Sequence, residues 1–385
     1  MENREYHPSA CTVLASQDNP LFLTSLGGEK NSRLGIVDQE TLGRGYKKEI
    51  QSLVQTLLLA HLVSSRLPER IETNFPVEFT GFLEGLYKHY GRRSPVISRF
   101  GEDSVDLTVN KEADNATEGK DYASAVSGGA DSAFRVADLV ARGESVVGIH
   151  IQNLNKAPLA EAVASEKQCK SWGVTYEKVK LLNSSGNGGF ETMRTRDLLI
   201  GGICAMVADR YGASEVQIEG GMIDNPEKCE YSEYTQAWDD FNKMLAVAGL
   251  GLKVTGVDPG DLETVREIIR IEKETDLSII PLIQNCFSAP YQLPNIRRKW
   301  EKKTPHLAEA SSSHWCGSCI KCRRMSLGRI YYEDPALGAV PESEKVFFVQ
   351  DTYRWIHEYP KNRVLLTDNF KEHLGLLGQA LGGVT

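Results

Sequence analysis

The sequence predicts an α/β protein built on a mostly parallel sheet covered by helices. Three observations predict it. From residue 121 onward, short apolar runs of strand length alternate with helical patterns of about ten to fifteen residues. The clearest run, 145–151, is apolar throughout, as a strand buried on both faces is. A glycine-bearing turn separates the first such run from the first helical one, which is where open parallel sheets place their ligands.

In chain order, strands are expected at 12–14 and 21–24, and a helix near 47–65, where Ile50, Leu53, Val54, Leu57, Leu58 and His61 recur at three- and four-residue steps. His61 lies on that periodic face and reads as a core histidine. A second helix is expected over 78–89, and the polar stretch 110–120 reads as a linker. Beyond it come strands at 122–126, 145–151, 174–182 and 215–219. Helices are expected at 133–141, 159–172, 197–211, 233–248 and 261–275. An extended piece is expected at Ile279–Ile283, a strand at Lys345–Val349 and a closing helix near 369–380. The expected division is an N-terminal accessory region, 1–118, a catalytic region, 119–330, and a C-terminal extension, 331–385. The extension would complete the fold or contact a partner.

The chain has 385 residues, enough for one large core or two ordinary ones. It is 41% hydrophobic and 25% charged, as soluble globular proteins are. A net charge of −8 argues against bulk attraction to nucleic acid or anionic membrane. The opening Met1–Tyr6 lacks the apolar core of a secretory signal, and no run approaches the ~18 apolar residues of a membrane span. The expected location is the cytoplasm.

The turn is Ser127-Gly128-Gly129-Ala130-Asp131-Ser132. Two glycines let the backbone bend and approach a ligand closely. Successive N–H groups and the positive end of the following helix suit a phosphate. Ser127 and Ser132 can donate hydroxyl hydrogen bonds to phosphate oxygens. Asp131 cannot touch phosphate unaided, so it either orients the loop or helps hold Mg²⁺. The Walker pattern is absent.

Eight cysteines are present, and Cys316, Cys319 and Cys322 fall within seven positions. That clustering favours a metal. Cys286 is the best-placed fourth ligand, with His314 as a rival, and four thiolates would make a closed structural Zn²⁺ site. An iron–sulfur cluster and unliganded thiols are the alternatives. Lys321, Arg323 and Arg324 can offset the charge of such a site, and Arg323-Arg324 also admits reading as an RNA contact. Cys204, in an apolar run, reads as a core residue.

The six-residue turn resembles the SGG-x-DS loop of the N-type ATP pyrophosphatases (PP-loop enzymes). With the later cysteines it is similar to the 7-cyano-7-deazaguanine synthases of the queuosine pathway. The resemblance spans roughly 121–326. Cys316, Cys319 and Cys322 match that family's C-G-x-C-x-x-C-R string, and Cys286 matches its first cysteine. Arg196-Asp197 opens an apolar helix where the family has Arg-Asn, and Glu219–Asp224 with the Cys229 region corresponds to its aspartate-containing loop. The resemblance implies a doubly wound parallel sheet of the HUP type with a zinc-binding subregion. It further implies ATP, Mg²⁺ and Zn²⁺ as cofactors and a deazapurine carboxylate as substrate. Adenylation of 7-carboxy-7-deazaguanine would release pyrophosphate, ammonia would give the amide, and a second adenylation the nitrile. Ser127, Gly128, Gly129, Asp131 and Ser132 would hold the nucleotide, with Asp131 and Arg196 catalytic.

The chain departs from the compact synthases in its long N-terminal region, in Asp197, in the long spacer from Cys286 to Cys316 and in its tail. Enlarged relatives occur in bacterial antiviral gene clusters, where an amine on a partner protein can replace ammonia and the N-terminal region would contact that partner. A related pyrophosphatase acting on another base, an amino acid or tRNA is a further alternative, and a non-catalytic zinc-braced nucleotide-binding scaffold another. The flexible stretch 183–189 is expected to be a lid or a surface loop.

Overall fold

A computed structural model describes residues 10–16, 18–19, 21–26, 32–43, 46–75, 77, 79–100, 119–152, 159–184, 194–220, 223–284, 286, 293–338, 340–358 and 367–382. The expected linker over 110–118, the 185–189 part of the expected lid and the opening Met1–Tyr6 lie outside these residues. The chain begins with β1 (Ala10–Ala15), β2 (Phe22–Leu26), β3 (Ser32–Ile36), α1 (Gln39–Gly43) and α2 (Lys48–Val63). β4 (Arg70–Thr73), α3 (Thr80–His89) and β5 (Val96–Arg99) follow. Strict alternation then sets in: β6 (Tyr122–Ala125), α4 (Ala130–Ala141), β7 (Val146–Gln152), α5 (Leu159–Ser171), β8 (Thr175–Ser184), α6 (Arg196–Arg210), β9 (Glu215–Ile218), α7 (Thr235–Val247), β10 (Lys253–Gly256) and α8 (Asp261–Glu274). Among the described residues five more α-helices follow: α9 (Leu293–Glu301), α10 (Pro305–Glu309), α11 (Ile320–Tyr331), α12 (Glu342–Glu358) and α13 (Asp368–Ala380).

Two compact units emerge. One gathers Met1–Ala125, Glu144–Pro158 and Val174–Val257; the other gathers Val126–Gly143, Leu159–Gly173 and Asp258–Thr385. They do not follow the sequence division at 118 and 330.

The first unit holds a ten-stranded sheet in the order β10-β9-β6-β7-β8-β3-β2-β1-β4-β5. Strands β10, β9, β6, β7 and β8 are mutually parallel. β3, β2 and β1 add in antiparallel fashion, and β4 and β5 return to parallel pairing. The mixed sheet is therefore mostly parallel. Among the parallel five, sequence order runs 3-2-1-4-5, and the order reverses at β6. β7 is buried over its first five residues, as a central parallel strand must be. β1 alternates, turning Cys11, Val13 and Ala15 inward, as a strand with one core-facing side does.

The N-terminal strands thus belong to the same sheet as the later ones and are not a separate body. The reason lies in β8, which is long enough to serve two neighbours at different registers. Its Thr175–Lys180 stretch pairs with β7, and its Leu181–Ser184 stretch pairs with β3. Helix α2 is buried over almost its whole length and packs on α6. Gly202 in the middle of α6 admits this approach, because a Cβ there would lie 2.1 Å from Leu57 Cδ1. His61 is buried on α2 as a core histidine. Its Nδ1 lies 3.0 Å from Thr195 Oγ1, and burial, followed by the Arg196 charge, pushes its pKa down to about 4. Cys204 is fully buried on α6.

In the second unit α8 packs between α4 and α11. A Cβ at Gly328 of α11 would fall 2.8 Å from Val265 Cβ of α8, so this helix pair also depends on a missing side chain. Asn183 and Ser184, expected to begin a lid or surface loop, instead close β8 against Leu34 and Arg33, and two further stretches also differ from expectation. Ile279–Ile283 is not extended: Ile280–Leu282 forms a 3₁₀ turn with proline in its first turn. The backbone N–H groups of Ile279 and Ile280 donate to Glu272 Oε1 at 2.6 and 2.9 Å, leaving no ladder for a strand. Lys345–Val349 is not a strand but lies within α12. Glu344, Phe348, Val349 and Thr352 are its buried positions, a helical spacing that the short apolar run concealed. No described helix is long and apolar enough to cross a membrane.

The β3–β2 pair leaves no room at Gly35, where a Cβ would lie 2.4 Å from Phe22 Cα and 2.5 Å from Leu21 O, both backbone atoms. Gly35→Ala is expected to destabilise the first unit by roughly 1–3 kcal/mol through this overpacking. A lowered urea midpoint for the strand signal checks it.

Candidate metal centre and phosphate loop

The second unit holds both the cysteine cluster and the glycine turn. Cys319 caps α11 with extended backbone and Cys322 sits in the first helical turn, so the three-residue spacing places both thiols at the same helix end. Gly317 makes the reversal between Cys316 and Cys319, with φ +73°. Only glycine fits there, because a Cβ would strike the Trp300 indole at 1.9 Å. The Trp315 indole Nε1 donates to Ile283 O at 3.0 Å and ties this loop to the segment leading to Cys286. Arg297 holds the same loop through Ser312 O, Trp315 O and Ala308 O at 2.5, 3.2 and 2.9 Å.

The Sγ atoms of Cys286, Cys316, Cys319 and Cys322 all lie within 4.8 Å of one another. Cys319 Sγ and Cys316 Sγ stand 3.4 and 3.9 Å from Cys322 Sγ. A tetrahedral ion with metal–sulfur bonds of about 2.3 Å requires sulfurs about 3.8 Å apart, so the set fits. These separations far exceed the ~2.03 Å of a disulfide. They also leave room for one ion between the sulfurs and none for an iron–sulfur cube. His314 is exposed and outside the four-sulfur group.

The surroundings favour negative charge on sulfur. Cys316 Sγ accepts from the Ser318 and Cys319 backbone N–H groups at 3.4 and 3.3 Å, and the positive end of α11 points at the group. Without a cation the thiols resist ionising together. Cys286 and Cys316 push the Cys319 pKa up, and burial, then the same neighbours, pushes up that of Cys322. A divalent ion between them reverses that balance. The site can coordinate such an ion.

Arg323 is buried and committed to structure. It donates to Ser318 O at 3.0 Å, to Thr352 Oγ1 at 2.8 Å and to Asp351 at 2.8 Å, and it lies over the Trp355 ring. An RNA contact through this side chain is therefore excluded by its burial.

The glycine turn is built in the same unit. Gly128 has φ +79°, and a Cβ there would meet Ala164 Cβ of α5 at 2.8 Å. Gly129 caps α4, whose N-terminus carries no side-chain cap. Ser132 is buried, and its hydroxyl turns inward to Ser127 N and Gly129 O, each at 3.2 Å. Ser127 is exposed, with Oγ 3.2 Å from Ser132 Oγ. The Gly128 carbonyl accepts from Gln284 N at 2.8 Å and from Gln168 Nε2 at 3.0 Å. Asp131 pairs through both oxygens with Arg324 Nη2 at 3.1 and 3.2 Å. Burial would raise its carboxyl pKa, but the Arg324, Arg135 and Lys321 charges outweigh burial and hold it below the ordinary range. Sequence reasoning did not single out Gln168 or Gln284, and neither carries a motif. Only their placement against Gly128 reveals them.

Arg196 belongs to the first unit, where it opens α6. Its Nε lies 2.8 Å from Asp197 Oδ1, and Asp197, Glu219 and Glu233 together outweigh the burial that disfavours its charge. This guanidinium already carries carboxylate partners. Asp224 accepts from Thr235 Oγ1 at 2.7 Å, while 221 and 222 lie outside the described residues. Burial, followed by Glu233 and Glu230, raises the Cys229 pKa, which is the opposite of what a sulfur-transferring nucleophile needs.

Cys322→Ala is expected to abolish tight binding of a divalent metal and to lower the thermal midpoint of the second unit. Structural thiolate sites of this kind hold zinc with about 10–16 kcal/mol. Metal content per chain and a calorimetric scan check it. Acidification should release the ion from the wild-type chain as protons compete for the thiolates, which a chromophoric chelator would follow.

No protein-family model matches the chain, and no curated protein matches it significantly.

Proposed function

We propose that the chain binds ATP at the 127–132 loop and adenylates a carboxylate of the 7-carboxy-7-deazaguanine class, with zinc in the four-thiolate site as a structural brace. The observation that carries this is the loop itself. A left-handed glycine, a glycine cap and an uncapped helix N-terminus follow in succession. In the chain, that turn follows β6, the strand at which the 3-2-1-4-5 order reverses, where doubly wound sheets of the HUP type bind nucleotides.

In the proposed reaction a carboxylate oxygen attacks the α-phosphorus of ATP, and pyrophosphate leaves. Ammonia then attacks the acyl carbon, and AMP departs with its oxygen to leave the amide. Adenylation of the amide oxygen and loss of AMP gives the nitrile. Backbone N–H groups at the α4 terminus would supply fixed dipoles for the leaving pyrophosphate. Both serine hydroxyls are engaged within the loop, Ser127 Oγ with Ser132 Oγ and the Gly129 N–H, and Ser127 is the exposed one that a phosphate oxygen would draw outward. Asp131, drawn to Arg324, serves the loop's orientation rather than a direct phosphate contact. Mg²⁺, when bound with the nucleotide, would neutralise phosphate charge.

Incubation with ATP, the carboxylated deazapurine and ammonia is expected to release AMP and pyrophosphate only when the carboxylate is present, and mass spectrometry would identify an amide or nitrile. Transfer to a protein amine would appear instead as a mass increase on an added partner. ATP binding without pyrophosphate release would support the scaffold alternative and overturn the enzyme. Gly128→Ala should reduce turnover by about a hundredfold through misplacement of the loop, with metal content unchanged.

A further inference from the structure

The two chain segments that deliver the cysteines are the same two that hold the glycine turn. Gln284, two residues before Cys286, donates its backbone N–H to Gly128 O at 2.8 Å. Arg324, two residues after Cys322, engages both carboxylate oxygens of Asp131. Gln168 of α5 closes the arrangement, because its Nε2 donates both to Gly128 O at 3.0 Å and to Leu282 O at 3.1 Å. The loop is thus gripped at residue 128 from the Cys286 side and at residue 131 from the α11 side. Nothing in the covalent chain holds these two grips in register, since 286 and 316 are thirty residues apart. The convergence of the four sulfurs does, together with the Trp315 Nε1 bond to Ile283 O and the Ser312 hydroxyl bond to Pro281 O.

We propose that a metal ion in the thiolate site sets the shape of the 127–132 loop, with Arg324 and Gln168 as positioning residues that transmit it. Loading the ion fixes the distance between the Gln284 and Arg324 grips. Losing it frees the start of α11 to part from Gln284 and Cys286, and the loop relaxes with them. The functional consequence rests on the phosphate-loop reading above. The structural linkage does not, so the two can fail separately.

Hydrogen exchange of the full chain without nucleotide tests the linkage, comparing metal-loaded protein with protein stripped by a chelator under reducing conditions. Stripping is expected to raise exchange about tenfold or more in peptides covering 126–132 as well as 316–322, while β6, β7 and β9 keep their protection. Arg324→Gln and Gln168→Leu should raise exchange in 126–132 while metal content per chain stays at the wild-type level. Arg324→Lys, which keeps a charge facing Asp131, should restore part of it. Unchanged protection at 126–132 on stripping, with 316–322 exposed, would overturn the proposal. So would wild-type loop protection in both variants, or a uniform loss of protection across the second unit on stripping, since the ion would then brace the unit as a whole. An ATP titration separates the functional consequence: weaker ATP binding in stripped protein supports it, and equal binding alongside a loosened loop removes it.

Discussion

Gly128 is the constraint on which the second unit turns. Its left-handed backbone lies so close to α5 that a methyl group would collide with Ala164, and its carbonyl receives two N–H groups from segments far apart in the chain. A residue with a side chain would lose the conformation and the contact together. Because the bend is fixed there, Gly129 can cap α4 without a side chain and Asp131 can face Arg324. The shape of the loop follows from that placement and not from any one hydroxyl.

Charge is distributed accordingly. Arg323 and Arg324, adjacent in sequence, have opposite fates. One is buried against Asp351 and a tryptophan; the other reaches the loop carboxylate. Neighbouring residues on a helix point about a third of a turn apart, which is enough to send one side chain into the core and its neighbour to the loop. In the first unit Arg196 shows the same economy, held by Asp197 beside it on α6 with Glu219 and Glu233 near. Both sites keep a cation engaged by carboxylates, so neither leaves a buried charge without compensation.

The first unit meets a different demand. Parallel strands need cover on both faces, and the sheet continues past β8 because that strand outruns β7 and offers its remaining length to β3. Once β3 has joined, β2, β1, β4 and β5 extend the same sheet, and α2 comes to lie buried against α6. Glycines at 35 and 202 mark where backbone and helix approach too closely for a side chain.

Local patterns settled much of this by themselves. The alternation of strands and helices from 121 on, the α2 periodicity, the glycine turn and the cysteine spacing are all short-range, and each is set by backbone sterics or side-chain period within a few residues. Tertiary structure decided what depends on distant partners. Strands β4, β5 and β10 are not expected from the sequence, and pairing with a neighbour is what forms them. The Lys345–Val349 run reads equally as strand or helix until the packing of Phe348, Val349 and Thr352 chooses. That the N-terminal strands share one sheet with the rest, and that Gln168, Gln284 and Arg324 converge on one bend, follows from contacts between residues scores of positions apart. No local rule encodes such contacts, because they form only when the hydrophobic burial of the whole unit brings those segments together.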